Sequence, residues 1–288
     1  MQALHLQHPL MNLTQACQAL QVSRSGYHAH LRKCQRPRRI QDASLAAEIH
    51  TCFDASRRTY GSPRLVRCLR ARGLRHGKNR IARLMREQGL RVRQKRRFLP
   101  RTTVADPGVV PASNHLLARP APDKPNQVWV SDITYLPTGE GWLYLAAEMD
   151  LCSRRILGWQ TGESLATTLP ASALDNALRS RGRHPGKDLL HHSDQGCQYA
   201  SAVFRRRLHL HGITQSMSRR GNCYDNAAME SFWATLKTEC FASTVPATRA
   251  QARSMVFDYI ETFYNPVRLH SSLDFLSPVA FELSFLNN

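Results

Sequence analysis

The chain has 288 residues, 42% of them hydrophobic, which is enough for two or three domains with buried cores. It contains no run of about 18 or more apolar residues, which excludes a membrane-spanning helix. Its net charge of +19 is uneven: residues 1–125 carry 25 Lys and Arg against 6 Asp and Glu, whereas residues 126–288 carry 15 of each. A positive field gathered in one half of a chain favours a polyanionic partner over a membrane surface, because the basic segments lack a wide apolar face. The eight cysteines include no C-x-x-C pair and no histidine pair at finger spacing, so reduced, scattered thiols are expected rather than zinc. The opening residues MQALHLQHPLMNLTQ lack the charged start and apolar core of a signal peptide, and the expectation is a cytoplasmic protein.

Residues 1–45 read as a small helix-turn-helix region. Thr14 is placed to cap a short helix, Gln21-Val22 to turn, and Ser23 to cap a second helix through Tyr27 and Leu31. A helical hairpin that only packs is the competing reading. Residues 46–99 read as a helical DNA-binding domain. Ser62-Pro63 opens a helix that Gly73 stops, and a second runs from Lys78 to Gln88 before Gly89. Its inner side carries Ile81, Leu84 and Met85; its outer side carries Arg80, Arg83 and Arg86, with nothing acidic placed to pair with them. Together with Lys78 this stripe suits a major groove, a solvated basic face being the alternative. Arg93, Lys95, Arg96 and Arg97 follow in a run with no helical period, suited to lie along phosphates. Residues 100–124 read as a Pro-rich linker.

Residues 125–288 change pattern. QVWVSDITYL, GWLYLAAEMDL and RRILGWQTGE are β-rich runs separated by turn residues and predict an antiparallel meander. A helix from about 169 to 179, a fourth strand in DLLHHSD, a helix from 202 to 211 and a strand near 213–217 follow. This order predicts an α/β fold: a mixed sheet with helices on both faces. Met229, Phe232, Trp233, Leu236 and Cys240 form the apolar stripe of the next helix, with Glu230 beside it. A last helix from Gln251 to Tyr264 precedes NPVRLHSSLDFLSPVAFE, read as a loop.

Asp132 sits mid-strand among Val, Trp, Ile and Tyr, where an unpaired carboxylate is costly. Asp194 ends the fourth strand, and Glu230 follows with thirty-five residues between. Singly, each is explained as a surface strand position, a turn cap and an exposed helix residue. Jointly they lack a local basic partner for Asp132 or Glu230, and three acids converging at one sheet end would repel unless cations intervened. Hard divalent ions with oxygen ligands meet that need, and a pair of them can promote an in-line displacement at phosphorus. His191 and His192 adjoin Asp194, but strand alternation puts at most His192 on its side, so packing is their ordinary reading, with support of the site or proton handling as the alternative.

These residues carry a resemblance. SRSGY, YGSPRLVRCLR, RIARLMREQGL, WVSDITYL, GWLYLAAEMDLCSRRILGW, HHSDQGCQYAS, GNCYDNAAMESFWATLKTE and YNPVRLHSSLDFLSPVAFE resemble the second-frame product of bacterial insertion-sequence transposases of the IS-three family. The resemblance implies a ribonuclease-H-like, retroviral-integrase-like core whose DDE triad falls on Asp132, Asp194 and Glu230 as catalytic and metal-holding residues. It implies two Mg²⁺ ions (Mn²⁺ as substitute), and DNA cleavage at element ends followed by strand transfer from the freed 3′-hydroxyl. It also implies Lys237 as a DNA contact near that site. The implied partners are terminal repeats, target DNA, further copies of the chain on DNA, and an upstream first-frame product, with action at the nucleoid. The chain shows no heptad zipper and no His/Cys zinc-binding start of the retroviral kind. His270 and Ser271-Ser272 match a family motif without a chemistry readable from the residues. A nuclease on the same core that cuts without joining, or a DNA-binding regulator without catalysis, are the alternative functions.

Overall fold

The computed structural model describes residues 12–34, 37–92, 112–117, 119–182, 188–219, 226–241 and 244–286. The chain divides into two compact units, Met1–Val92 and Arg93–Asn288.

The first unit is helical: α1 (Leu13–Ala19), α2 (Arg24–Cys34), α3 (Pro37–Ala55), α4 (Ser62–Ala71) and α5 (Lys78–Glu87). Asn12, not Thr14, caps α1, its Oδ1 accepting from the Thr14 N–H at 3.1 Å. Ser23 caps α2 as expected, accepting from the Gly26 N–H at 3.0 Å. Pro63 sits in the first turn of α4, where a missing N–H costs nothing. Gly73 and Gly89 close α4 and α5 with φ of +82° and +68°, the left-handed region that favours glycine. The helix α3 runs across the boundary drawn at residue 45. It supplies Leu45, Ile49, Cys52 and Phe53 to a core completed by Leu65, Leu69, Ile81 and Leu84.

The second unit is built on a five-stranded sheet of β1 (Val128–Thr138), β2 (Gly141–Asp150), β3 (Ile156–Gly162), β4 (Leu190–Ser193) and β5 (Thr214–Met217). Spatial order is β3-β2-β1-β4-β5. The first three strands are antiparallel, while β4 joins β1 and β5 joins β4 in parallel. The crossover between β3 and β4 is α6 (Thr168–Ser180). A Cβ on Gly158 of β3 would lie 2.3 Å from the Ala177 nitrogen, so this helix packs directly on the strand backbone. The short α7 (Cys197–Ala200) and α8 (Ala202–Leu210) lie on the same side, in a core with Trp129, Leu174, Leu189, Tyr199, Phe204 and Leu208.

Strand alternation sends Ser131 to that core side and Asp132 to the opposite one. There α9 (Ala227–Leu236) and α10 (Arg249–Phe257) pack, each running on into a π-helical turn, Lys237–Phe241 and Asp258–Tyr264. The first of these turns is tied down by Glu239. Its carboxylate accepts from Arg268 Nη2 and Nε (2.6 and 2.8 Å) and from the Tyr259 hydroxyl (2.8 Å). Asn265 presents its amide to both main-chain groups of Ile156, at 2.9 Å each, and so stands in for a missing strand partner at the start of β3.

The segment read as a closing loop instead contains α11 (Pro278–Leu286), started by Ser277 Oγ accepting from the Ala280 N–H. Its pattern hides the helix because the inward side chain is a charge: Glu282 is buried while Leu283, Phe285 and Leu286 face out. Glu282 accepts from Ser153 Oγ at 2.7 Å and Arg155 Nη1 at 2.6 Å, and pairs with Arg181. Burial raises its pKa, but Arg181, Ser153 and Arg155 outweigh that and hold it below the ordinary glutamate value. Glu282→Ala should therefore cost about 3 kcal/mol of stability at pH 7, because two arginines lose their counter-charge. A depressed folded-state pKa contributes stability that is present above pH 4.5 and lost as pH falls through the lower folded value. Urea melts at pH 7 and at pH 3 check this: the gap between wild type and variant should narrow at the acid end.

Candidate active site

Asp132 lies on β1 opposite Ala147 of β2. Its Oδ1 accepts from the Ile133 N–H at 2.8 Å and its Oδ2 from the Trp233 indole N–H at 2.9 Å. Asp194 is the first residue beyond β4, and the parallel pairing of Val130 with His192 brings it alongside Asp132. Its Oδ1 accepts from the Gly196 N–H at 2.9 Å. A Cβ at position 196 would stand 2.9 Å from that same oxygen, so the turn leaves no room for a side chain. The turn is also anchored below the sheet, where the Tyr199 hydroxyl and Ser131 Oγ are hydrogen-bonded at 2.9 Å. Glu230 stands in the first turn of α9 and is exposed.

The electrostatics connect these groups. Burial first, then the Asp194 carboxylate, and to a lesser extent Glu230, push Asp132 up to about 7, against the opposing Ile133 and Trp233 hydrogen bonds. Burial also raises Asp194, with the Gly196 N–H pulling the other way. Burial lowers Lys237, while the charge of Asp132 works to keep it protonated, so this lysine belongs to the same neighbourhood. Among the described residues no three His, Cys, Asp or Glu side chains are close enough together to hold one ion. The donors that do gather are carboxylate oxygens, partly dry and repelling one another, and that chemistry fits a hard divalent cation.

The two histidines before Asp194 serve the core. His191 Nε2 is hydrogen-bonded to Glu148 Oε2 at 2.9 Å, both side chains fully enclosed, and His192 Nδ1 to Ser216 Oγ at 2.9 Å. His270 packs edge-on against Tyr264, their ring centroids 4.9 Å apart, and Tyr264 in turn against Phe232 of α9. The sequence reading missed Trp233 as a partner of Asp132, having placed it only in an apolar stripe. The indole N–H was the available signal, since a buried tryptophan ordinarily finds an acceptor.

In the first unit the arginine stripe of α5 is not the open face expected. Asp42 of α3 accepts from Arg80 Nε at 2.7 Å and from Arg83 Nη2 at 2.6 Å, and Arg83 also reaches Glu87 at 2.8 Å. The acid lies 38 and 41 residues upstream, beyond the reach of any local spacing rule. Lys78, Asn79 and Arg86 are exposed. Arg93, Lys95, Arg96 and Arg97 lie outside the described residues.

Comparisons with known sequences define the class as an integrase-type polynucleotidyl transferase. Residues 122–223 and 211–278 match integrase core domain families, and residues 39–98 match an HTH-like domain. Over 266 residues the chain is 44% identical to an insertion element IS600 protein of Shigella sonnei, covering 92% of this chain and 96% of that one. Over 272 residues it is 40% identical to transposase InsF of insertion sequence IS3A from Escherichia coli, covering 92% of each. Among solved structures, the catalytic core of BIV integrase is 16% identical, covers 56% of this chain and 97% of that one, and gives a TM-score of 0.42. The chain belongs to the IS3 (IS-three) family of insertion-sequence transposases, DNA-binding enzymes of DNA transposition. No described helix is long and apolar enough to cross a membrane.

The raised Asp132 pKa has a consequence for stability. A folded-state value of about 7 against 3.8 means the folded protein holds that proton more tightly, so metal-free protein loses stability as pH rises from about 4 to 7. Asp132→Asn removes the charge and keeps one of the two acceptors, its amide oxygen serving either the Trp233 or the Ile133 N–H. It should stabilise metal-free protein at pH 8 by about 1–3 kcal/mol, below the roughly 4 kcal/mol of a fully enclosed acid because the side chain is partly open to solvent. It should change little at pH 4. Thermal melts in chelator at the two pH values check the sign.

Proposed function

We propose that Asp132, Asp194 and Glu230 form the catalytic, cation-holding triad of this transposase, which cuts DNA at the ends of its element and joins the freed 3′-hydroxyl to a second phosphodiester. The observation that carries the reading is the parallel β1–β4 pairing that brings Asp194 alongside Asp132, with the charge of Glu230 also felt, to a lesser extent, at Asp132. Mg²⁺, or Mn²⁺ in its place, would be held by these oxygens and would supply activation of the attacking oxygen and charge stabilisation of the leaving one. The chain's own contribution is placement. The Ile133 and Trp233 donors hold the Asp132 carboxylate, and the Gly196 N–H holds that of Asp194. Glu230, exposed at the start of its helix, is free to turn inward as DNA docks. Lys237 offers a positive charge beside Asp132 for a strand phosphate.

The chemistry balances without an external energy source. A water oxygen attacks phosphorus, the P–O3′ bond breaks, and the 3′-oxygen leaves and takes up a proton. That hydroxyl then attacks a second phosphodiester, so one P–O bond forms for each one broken. The reading extends to residues 1–45 and 46–99 as DNA-binding regions, 100–124 as linker and 125–288 as the catalytic domain. It includes assembly of several copies on DNA and pairing with an upstream first-frame product, at the nucleoid. On α5, Lys78 and Arg86 would face DNA, whereas Arg80 and Arg83 are held by Asp42 and serve the fold first. Arg93, Lys95, Arg96 and Arg97 would follow the phosphates.

Incubating the full chain with a labelled element-end duplex and Mg²⁺ should give nicked and joined products. Asp194→Asn should lower both by at least about a thousandfold, some 4 kcal/mol of barrier, with end binding nearly unchanged. Normal nicking by that variant would remove Asp194 from the chemistry. Cuts without joined product would indicate a nuclease, and binding without either a regulator. In binding titrations the Lys78→Ala/Arg86→Ala pair should weaken end binding more than Arg80→Ala/Arg83→Ala. It should also flatten the salt dependence by about one unit of log–log slope for each phosphate no longer neutralised. Equal effects from both pairs would return the whole stripe to DNA.

A further inference from the structure

Asn226, Glu230, Trp233 and Lys237 are spaced by four, three and four residues, which places them along one side of α9 and its continuation. Two of the four reach adjacent residues of β1. Asn226 Nδ2 donates to the Ser131 carbonyl at 3.3 Å, and Trp233 Nε1 donates to Asp132 Oδ2 at 2.9 Å. The charge of Glu230 is felt at Asp132, and that of Asp132 at Lys237. Glu230 is thus bracketed by two tethers to the strand that carries its partner acid.

The tryptophan is the more informative tether. Trp233 is only 6% exposed and packs tilted against Phe232, with 4.8 Å between centroids, a contact that a phenylalanine ring could also make. What the indole adds is a single N–H, spent on a carboxylate 101 residues upstream. Since the Ile133 N–H already holds the other oxygen, the second donor fixes rotation about the Asp132 carboxyl bond. Only the remaining lone pairs then face the site. A hydrogen bond to an ionised partner is also strong enough to set a helix-to-strand distance.

We propose that Trp233 is a positioning residue: its indole N–H orients the Asp132 carboxylate for cation binding and holds α9, and with it Glu230, at a fixed approach to β1. This rests on the reading of Asp132 and Glu230 as cation-holding residues. Partners of metal ligands typically affect affinity by about 10–100-fold. Trp233→Phe in the full chain should therefore weaken Mn²⁺ binding, followed by electron paramagnetic resonance without DNA, by about tenfold or more. End cleavage by the variant should recover as Mn²⁺ is raised, a rescue that a packing defect would not show.

Two controls separate the failures. If Asp132→Asn binds Mn²⁺ as the wild type does, the site reading fails. If Asp132→Asn loses binding while Trp233→Phe keeps wild-type affinity, the positioning role alone is overturned. Should Trp233→Phe not fold, the wild type decides. The chain has four tryptophans, and in indole ¹H–¹⁵N spectra one of the four signals should shift and exchange faster in Asp132→Ala. Four unmoved signals would refute the bond.

Discussion

Burial, and after it the charge of neighbouring Asp194, raise the pKa of Asp132, and strands β1 and β4 and helix α9 all bear on that one carboxylate. The parallel pairing of β4 with β1 creates the proximity, because it ends β4 where Asp194 must emerge next to Asp132. The surrounding donors make it tolerable. Main-chain N–H groups of Ile133 and Gly196 and the indole of Trp233 each reach a carboxylate oxygen, while Lys237 brings positive charge to the same neighbourhood. None of these neutralises the cluster. A fold selected for stability alone would have placed an arginine or an apolar residue there, so the residual negative field is the feature that DNA chemistry would use.

The two units handle charge in opposite ways. In the second, acids are gathered and left partly unbalanced. In the first, a large excess of Lys and Arg is shaped by a few acids. Asp42 takes two arginines of α5, and Glu48 pairs with Arg72 at 3.0 Å. The effect is to decide which cations remain presented and which become part of the helical framework. Basic composition alone does not tell these apart.

Much of this is legible in the sequence. The β1–β2–β3 meander shows because its strands are rich in β-formers and turn residues bound them. The α4–α5 pair shows because Pro63, Gly73 and Gly89 punctuate it. The nearness of Asp132 and Asp194 is foreshadowed because acids beside apolar runs are conspicuous. What stays hidden shares one property: it depends on partners distant in the chain or on an inverted pattern. Asp42 meets Arg80 and Arg83 only once α3 lies across α5. Glu282 makes α11 look like a loop, since a charge occupies the position where periodicity expects a hydrophobe. Trp233 passes for a core residue because its ring does pack there, and only the direction of one N–H separates the two roles.

The π-helical turn after Leu236 carries a further consequence. Such a turn holds one residue more than an α-helix would over the same span. Removing a single residue of this turn other than Glu239 would let the segment wind into an ordinary helix and rotate Glu239 off Arg268 by roughly a quarter turn. Lineages of this element should accordingly accept exchanges of side-chain type at Thr238, Cys240 and Phe241 far more freely than they accept a change in length.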